Sequence, residues 1–148
     1  MNPERRSLIA VLLLVASVVL LLEQHALVAT RPVALALQGL AAALMLWARI
    51  TFGTRSFHAT ANPTAGGLVT AGPYRYWRHP IYAAVLLFVW AGVLGRGVMP
   101  AALAAILAAV ATITTAIRIQ AEEELLRTSM PEYAAYAART KRVIPFVL

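Results

Sequence analysis

Four long apolar runs, separated by short polar or glycine- and proline-bearing breaks, set the pattern of the chain: Leu8–Leu22, Val33–Ile50, Ile81–Leu94 and Val98–Ile117. Runs of roughly 14 to 20 residues are near the length that crosses a bilayer as a helix, and the shorter ones extend into flanking aromatics. Arg5 and Arg6 stand before the first run, as at the start of a secretory signal. A cleavage site near Ala29 would have Leu27, not a small residue, at its −3 position, so the first run is expected to stay as an uncleaved membrane helix. Thr30-Arg31-Pro32 reads as a break and restart, with proline in the first turn of a second helix. That helix has Gln38 as its polar interior residue and Trp47 and Arg49 at its far boundary. The short connection predicts that the first two helices are antiparallel neighbours.

Thr51–His79 is a long, nonperiodic connection containing Gly53, Pro63, Gly66, Gly67, Gly72 and Pro73. Such connections tend to be functional or disordered, and the apolar and aromatic content of this one predicts that it folds back on the helix ends. His58 within it reads as a surface histidine, and His25 as an interfacial one. Gly95-Arg96-Gly97 turns the chain between the third and fourth runs, and the alanine-rich fourth helix is expected to pack centrally, because small residues permit close approach. Arg118–Thr128 extends it. Ser129 and Glu132 have capping-box spacing ahead of a last short helix through Arg139, and Val143-Ile144-Pro145 closes the pattern. The reading is an all-α integral membrane protein of about four transmembrane helices, with a cytoplasmic loop and a C-terminal helix, forming one domain over residues 1–148.

Composition sharpens this. With 61% hydrophobic and 13% charged residues, the chain is too apolar for a water-soluble domain of its length. It has no cysteine and no aspartate, and its six acidic residues are Glu4, Glu23, Glu122, Glu123, Glu124 and Glu132. Disulfides, thiol nucleophiles and Cys-based metal sites are excluded, an Asp/His metal site has almost no parts, and no metal site is expected. The net charge of +7 flanks the apolar runs instead of forming a stripe, so no nucleic-acid partner is expected. Of the 13 basic residues, only Arg31 and Arg96 fall on one side of a four-span topology. By the positive-inside rule the N-terminus, the long connection and the C-terminus are expected in the cytoplasm, the protein sitting in the inner membrane.

Candidate chemistry concentrates in two places. Gly72–Tyr82 reads Gly-Pro-Tyr-Arg-Tyr-Trp-Arg-His-Pro-Ile-Tyr, with prolines fixing φ near both ends and His79 pushed off helical geometry by Pro80. On composition alone it reads equally as an interfacial anchor loop. Arg118–Glu124 follows the fourth run, with Arg118 and Glu122 on one helix face and Glu124 expected to face solvent. Its plain alternative is an ordinary charged helix end. A down-and-back hairpin brings the two clusters to the same depth on adjacent helices.

Together with Leu126, Pro131-Glu132-Tyr133 and Tyr136, these segments resemble the isoprenylcysteine carboxyl methyltransferase family and its phospholipid methyltransferase relatives, over residues 67–145. The first half resembles the family only in being hydrophobic. The resemblance implies S-adenosylmethionine as cofactor and a lipophilic or lipidated substrate, methylated at the membrane surface amid membrane lipids. Carried over by position, it implicates His79, Pro80, Tyr82, Glu122 and Glu123 in cofactor binding, with Gly72, Tyr74 and Arg75 in the adjoining loop. Two positions depart from the family pattern: Ala84 and Pro131 stand where glycine is common. If the acceptor is a carboxylate, no general base is needed, and an arginine orients it, Arg118 first and Arg78 second. An amine acceptor would instead need a base, mainly His79 or a glutamate. Two other classes stay open: a membrane reductase using NADPH, which resembles this family near its C-terminal end, and a non-enzymatic four-helix scaffold. An ion-coupled transporter would carry an ionisable residue deep in a span, and the four runs have none.

Overall fold

The first helix keeps only a narrow stripe away from its surroundings. In α1 (Pro3–Glu23), Ser7, Ala10, Ser17 and Leu21 are buried, while Leu8, Ile9, Leu12, Leu13, Val15 and Val19 are exposed. In α2 (Pro32–Phe52) the buried set is Ala34, Gln38, Ala41 and Ala48, with Leu40, Leu46 and Ile50 outward. The three- and four-residue spacing is that of one helix face, and its small residues allow close approach. Large apolar side chains on the remaining faces are the signature of helices bathed in lipid. This computed structural model describes residues 3–53, 67–96 and 102–143. Gly97, His58, Pro63, Gly66, the start of the fourth apolar run and Ile144-Pro145 lie outside them.

Two further long elements complete the bundle, α3 (Pro80–Leu94) and α4 (Ala102–Ser129). Helix α1 lies antiparallel to α4: Arg6 pairs with Glu124 at one end, and Leu21 packs with Ala104, Leu107 and Ala108 at the other. Helix α2 packs on α3, and α3 on α4, where Trp90 Nε1 donates to Thr112 Oγ1 at 3.0 Å. The order across the bundle is therefore α1, α4, α3, α2, and the expected pairing of the first two helices does not form.

The reason lies in the link between them. It crosses over α3 so closely that a Cβ on Gly92 would sit 2.1 Å from the Leu27 carbonyl oxygen. Thr30 N and Arg31 N donate to the Gly95 carbonyl at 3.1 and 3.0 Å. Gln38, the polar residue inside α2, holds the crossing. Its Nε2 donates to the carbonyls of Leu27 (2.7 Å) and Phe88 (3.1 Å), and its Oε1 accepts from Ala29 N (3.0 Å). A buried amide so satisfied is tolerable within an apolar bundle.

Among the described residues, α1, α2 and α4 are long and apolar enough to cross a membrane. Helix α3, with 15 residues, spans only about 22 Å, short of the roughly 30 Å hydrocarbon core. The expected four apolar helices are present, and the protein is an all-α integral membrane protein, with α3 the shortest of the four. Helix α4 continues past its apolar part, as expected, but Ser129 is its last residue. The next helix, α5 (Tyr133–Arg139), begins after Glu132 with no side-chain cap bond, so the Ser129–Glu132 capping box is not made.

Candidate active site

Pro80 opens α3, with its missing N–H at a position that needs no partner, and His79 before it is non-helical, at φ −126° and ψ 58°. The segment leading into α3 is thereby held off the helix axis, free to pair elsewhere. It pairs with the chain after α5: Arg78 N donates to Lys141 O (2.7 Å), His79 N to Arg142 O (3.0 Å) and Lys141 N to Tyr76 O (3.1 Å). Upstream, a 3-10 turn at Gly72–Arg75 lies against the end of α2, where Tyr74 and Phe52 rings stand 5.3 Å apart. Gly72 has φ +54°, and a Cβ there would meet Thr51 Oγ1 at 2.5 Å, so glycine is required. The Tyr136 hydroxyl donates to the Tyr74 carbonyl at 2.7 Å, fastening α5 to the turn.

The first turns of α3 and the polar extension of α4 meet at one depth, as the two-cluster reading requires. Tyr82 donates to Glu122 Oε1 at 2.6 Å, and its hydroxyl accepts from Arg118 Nε. Arg118 Nε also lies 3.0 Å from Glu122 Oε1, one helical turn away. His79 stands between the two glutamates, Nδ1 3.7 Å from Glu122 Oε2 and Nε2 3.5 Å from Glu123 Oε1. Both separations are too long for well-formed hydrogen bonds.

The two glutamates differ in their surroundings. Glu123 is 4% exposed and tied to Arg78 Nε (2.9 Å) and Arg142 NH2 (3.1 Å), with Arg127 at 3.9 Å. Burial resists its ionisation, but His79 and Arg78 outweigh that and hold its carboxyl down to about 2. Glu122 is 20% exposed and is the more open of the pair. Glu124 faces outward and pairs with Arg6 at 3.2 Å, as the helix geometry predicts.

Arg78 acts as a rivet. Besides Glu123, its NH1 donates to the Ala137 carbonyl (2.8 Å) and the Thr140 carbonyl, joining the segment before α3 to the end of α5. Arg118 is buried and its NH1 donates to Ser7 Oγ on α1 at 3.1 Å. Sequence reasoning missed Ser7 and Arg142, since neither carries a local motif. The only trace of Ser7 is its place on the small-residue stripe of α1.

Arg75 sits apart from this cluster. It lines an open cavity of about 350 Å³ with Thr70, Tyr136, Arg139 and Thr140. The structure thus groups His79, Pro80, Tyr82, Arg78, Arg118, Glu122 and Glu123, and leaves Gly72, Tyr74 and Arg75 in the 3-10 turn upstream of them. Ala84 is buried in α3, and Pro131 lies in the exposed turn before α5. Among the described residues no group of three or more His, Asp or Glu is placed to hold a metal.

An apolar four-helix bundle capped at one end by a buried ionic cluster and a folded-back loop defines a membrane protein with a polar site at one end of its helices. The chain belongs to the isoprenylcysteine carboxyl methyltransferase family, whose model matches residues 32–128. The match begins at α2, further toward the N-terminus than the motifs alone show, and leaves α1 and α5 outside it. The chain is 41% identical over 80 residues to the cobalt-zinc-cadmium resistance protein CzcN of Cupriavidus metallidurans, covering 53% of this chain and 35% of that protein. It is 42% identical over 80 residues to the nickel-cobalt-cadmium resistance protein NccN of Alcaligenes xylosoxydans xylosoxydans, covering 53% of this chain and 36% of that one. The matched stretch thus spans about a third of the length of each of these curated relatives. No solved structure matches the chain.

Proposed function

We propose that this chain uses S-adenosylmethionine to methylate the carboxylate of a lipophilic or lipidated acceptor at the cytoplasmic face of the inner membrane. The observation that carries the reading is the Tyr82 hydroxyl bridging Arg118 and Glu122 at the depth where the apolar part of α4 ends. In this reading Arg118 is the anion-binding guanidinium and Glu122 the cation-binding carboxylate, side by side where the apolar part of α4 ends.

When bound, the cofactor supplies a methyl group already activated on a sulfonium, leaving the protein to hold and align the reactants. Glu122 is the carboxylate we assign to the cofactor's ammonium, because Glu123 is enclosed by Arg78 and Arg142. The residues present fit such a ligand. Trp77 Nε1, His79 Nε2 and the Tyr133 hydroxyl are buried polar atoms without a hydrogen-bond partner among the described residues, a costly state that a ligand reaching them would relieve. Gly72, Tyr74 and Arg75 lie in the turn that leads into this segment, and Pro80 fixes where α3 begins.

We assign Arg118 to the acceptor. A carboxylate arrives with its oxygen already deprotonated, so the site needs no general base, and a guanidinium fork both binds and aims it. Arg78, whose NH1 ties the segment before α3 to backbone carbonyls at the end of α5, is assigned to architecture instead of substrate. The concentration of Lys and Arg at the cluster's end of the bundle supports the cytoplasmic orientation, and the outward apolar faces of α1 and α2 suit membrane lipids. Family membership favours methyl transfer over an NADPH reductase or a scaffold.

The test is transfer of tritiated methyl from S-adenosylmethionine by the full chain in detergent, offered N-acetyl-S-farnesylcysteine, phosphatidylethanolamine and a ubiquinol in turn. The reading predicts label on the farnesylcysteine that alkali releases as methanol, as a methyl ester must. Label that survives alkali would overturn the carboxylate acceptor, and no transfer to any of the three would overturn the reading as a whole.

A further inference from the structure

Helix α1 lies outside the family-matched stretch, yet it reaches the centre of the cluster. Ser7 is fully buried, and its Oγ accepts from Arg118 NH1 at 3.1 Å, across the α1–α4 contact. Further along the same helix, Ser17 turns its hydroxyl back onto the Leu13 carbonyl at 2.8 Å, the usual fate of a serine inside a membrane helix. Ser7 differs in facing a charged group on another helix. One residue away, Arg6 NH2 also meets Glu124 Oε2 across the same helix contact, at 3.2 Å.

Arg118 is thus gripped at two atoms from two helices besides its own. Nε is engaged by Tyr82 of α3, and NH1 by Ser7 of α1. Two fixed points on a planar guanidinium set the orientation of the whole plane and stop rotation about its C–N bonds. A bidentate contact to a carboxylate depends on that plane, because the fork's donors lie in it. A hydrogen bond to a charged group is among the stronger ones in a protein.

We propose that Ser7 is a positioning residue for the methyl acceptor: its hydroxyl, through NH1, sets the plane in which Arg118 presents itself to the acceptor's carboxylate. This rests on the reading of Arg118 as the acceptor-orienting group. It gives α1, which carries none of the family's motifs, a part in the chemistry.

Two measurements on the full chain in detergent decide it. The first is the arginine side-chain spectrum of ¹⁵N-labelled protein, with the Arg118 signals assigned by their loss in Arg118→Lys. Separate NH1 and NH2 signals are expected in the natural protein and in Ser7→Thr, merging by rotation in Ser7→Ala. Signals that stay separate in Ser7→Ala would overturn the proposal. The second is methyl transfer to N-acetyl-S-farnesylcysteine. Ser7→Ala is expected to raise KM for that acceptor about tenfold or more, with KM for S-adenosylmethionine unchanged and Ser7→Thr restoring the acceptor KM. A parallel rise in both KM values, or no change in either, would overturn it. If the natural chain methylates no acceptor, the proposed function fails, while the spectrum still decides whether Ser7 fixes Arg118.

Discussion

Tyr82 and Glu122 are joined by a 2.6 Å hydrogen bond between the first turn of α3 and the polar extension of α4. The same hydroxyl accepts from Arg118, so one phenol links the two charges assigned to acceptor and cofactor. Tyr82→Phe keeps the ring under the Arg118 guanidinium, whose carbon lies 5.9 Å from the ring centroid, and leaves the Arg118–Glu122 pair in place. The fold should survive, while a lost hydrogen bond to charged groups is worth about 1.5–3 kcal/mol. Methyl transfer is expected to fall by roughly ten- to hundredfold, with the thermal midpoint in detergent nearly unchanged. Full activity in Tyr82→Phe would show that the bridge has no chemical role.

Arg78 should behave differently. Its side chain joins Glu123, Ala137 and Thr140, so Arg78→Ala takes the most buried cation from Glu123, leaving it the more exposed Arg142 and Arg127, and frees the segment after α5. Removing one partner of a buried ion pair costs about 3–5 kcal/mol. The expected result is a large drop in thermal midpoint and early protease cleavage beyond Arg139, measured in detergent. A variant as stable as the natural chain, yet inactive, would return Arg78 to the candidate catalytic groups.

Gly92→Ala tests the crossing that sets the helix order. The added methyl would need the Leu27 carbonyl, 2.1 Å away, to move, and that carbonyl already accepts from Gln38. Overpacking of this kind costs about 1–3 kcal/mol. The variant is expected to melt earlier than Gly39→Ala, at a helical glycine whose added Cβ has nothing within 4 Å. Equal melting of the two would contradict the close crossing.

Orientation is open to single-cysteine labelling, because the chain has no cysteine of its own. Ser129 and Gln24 are both exposed, at opposite ends of the bundle. Gln24→Cys should react with a membrane-impermeant maleimide on intact cells, and Ser129→Cys only after permeabilisation. The reverse pattern would overturn the cytoplasmic placement of the cluster.

Much of this was legible in the chain. The apolar runs marked the helices to within a few residues, because helix length and hydrocarbon thickness are locked together. Arg118, Glu122 and Glu124 fell where helical spacing put them, and Pro80 opened α3. Helix order was not legible: a short link suggests neighbours, and only the packing of Gly92 and Gly95 under residues 26–31 shows that it crosses a third helix. Nor was the division of labour between Glu122 and Glu123, which depends on Arg142 and Arg78 arriving from distant segments. Ser7 was hidden for the same reason, since nothing near it in sequence announces a partner on α4. The Ser129–Glu132 cap failed because α4 stayed helical through Ser129, leaving it inside one helix and not ahead of the next.

Calorimetric titration of S-adenosylmethionine into the full chain tests the central claim most directly, with Glu122→Gln and Glu124→Gln beside the natural protein. The account predicts that the natural chain binds, that Glu122→Gln binds at least tenfold more weakly, about 1.4 kcal/mol, and that Glu124→Gln binds like the natural chain. The exposed Arg6–Glu124 pair contributes only ~0–1 kcal/mol to stability, so its loss should not disturb the site. No binding by the natural chain, or equal small effects at both positions, would contradict the account.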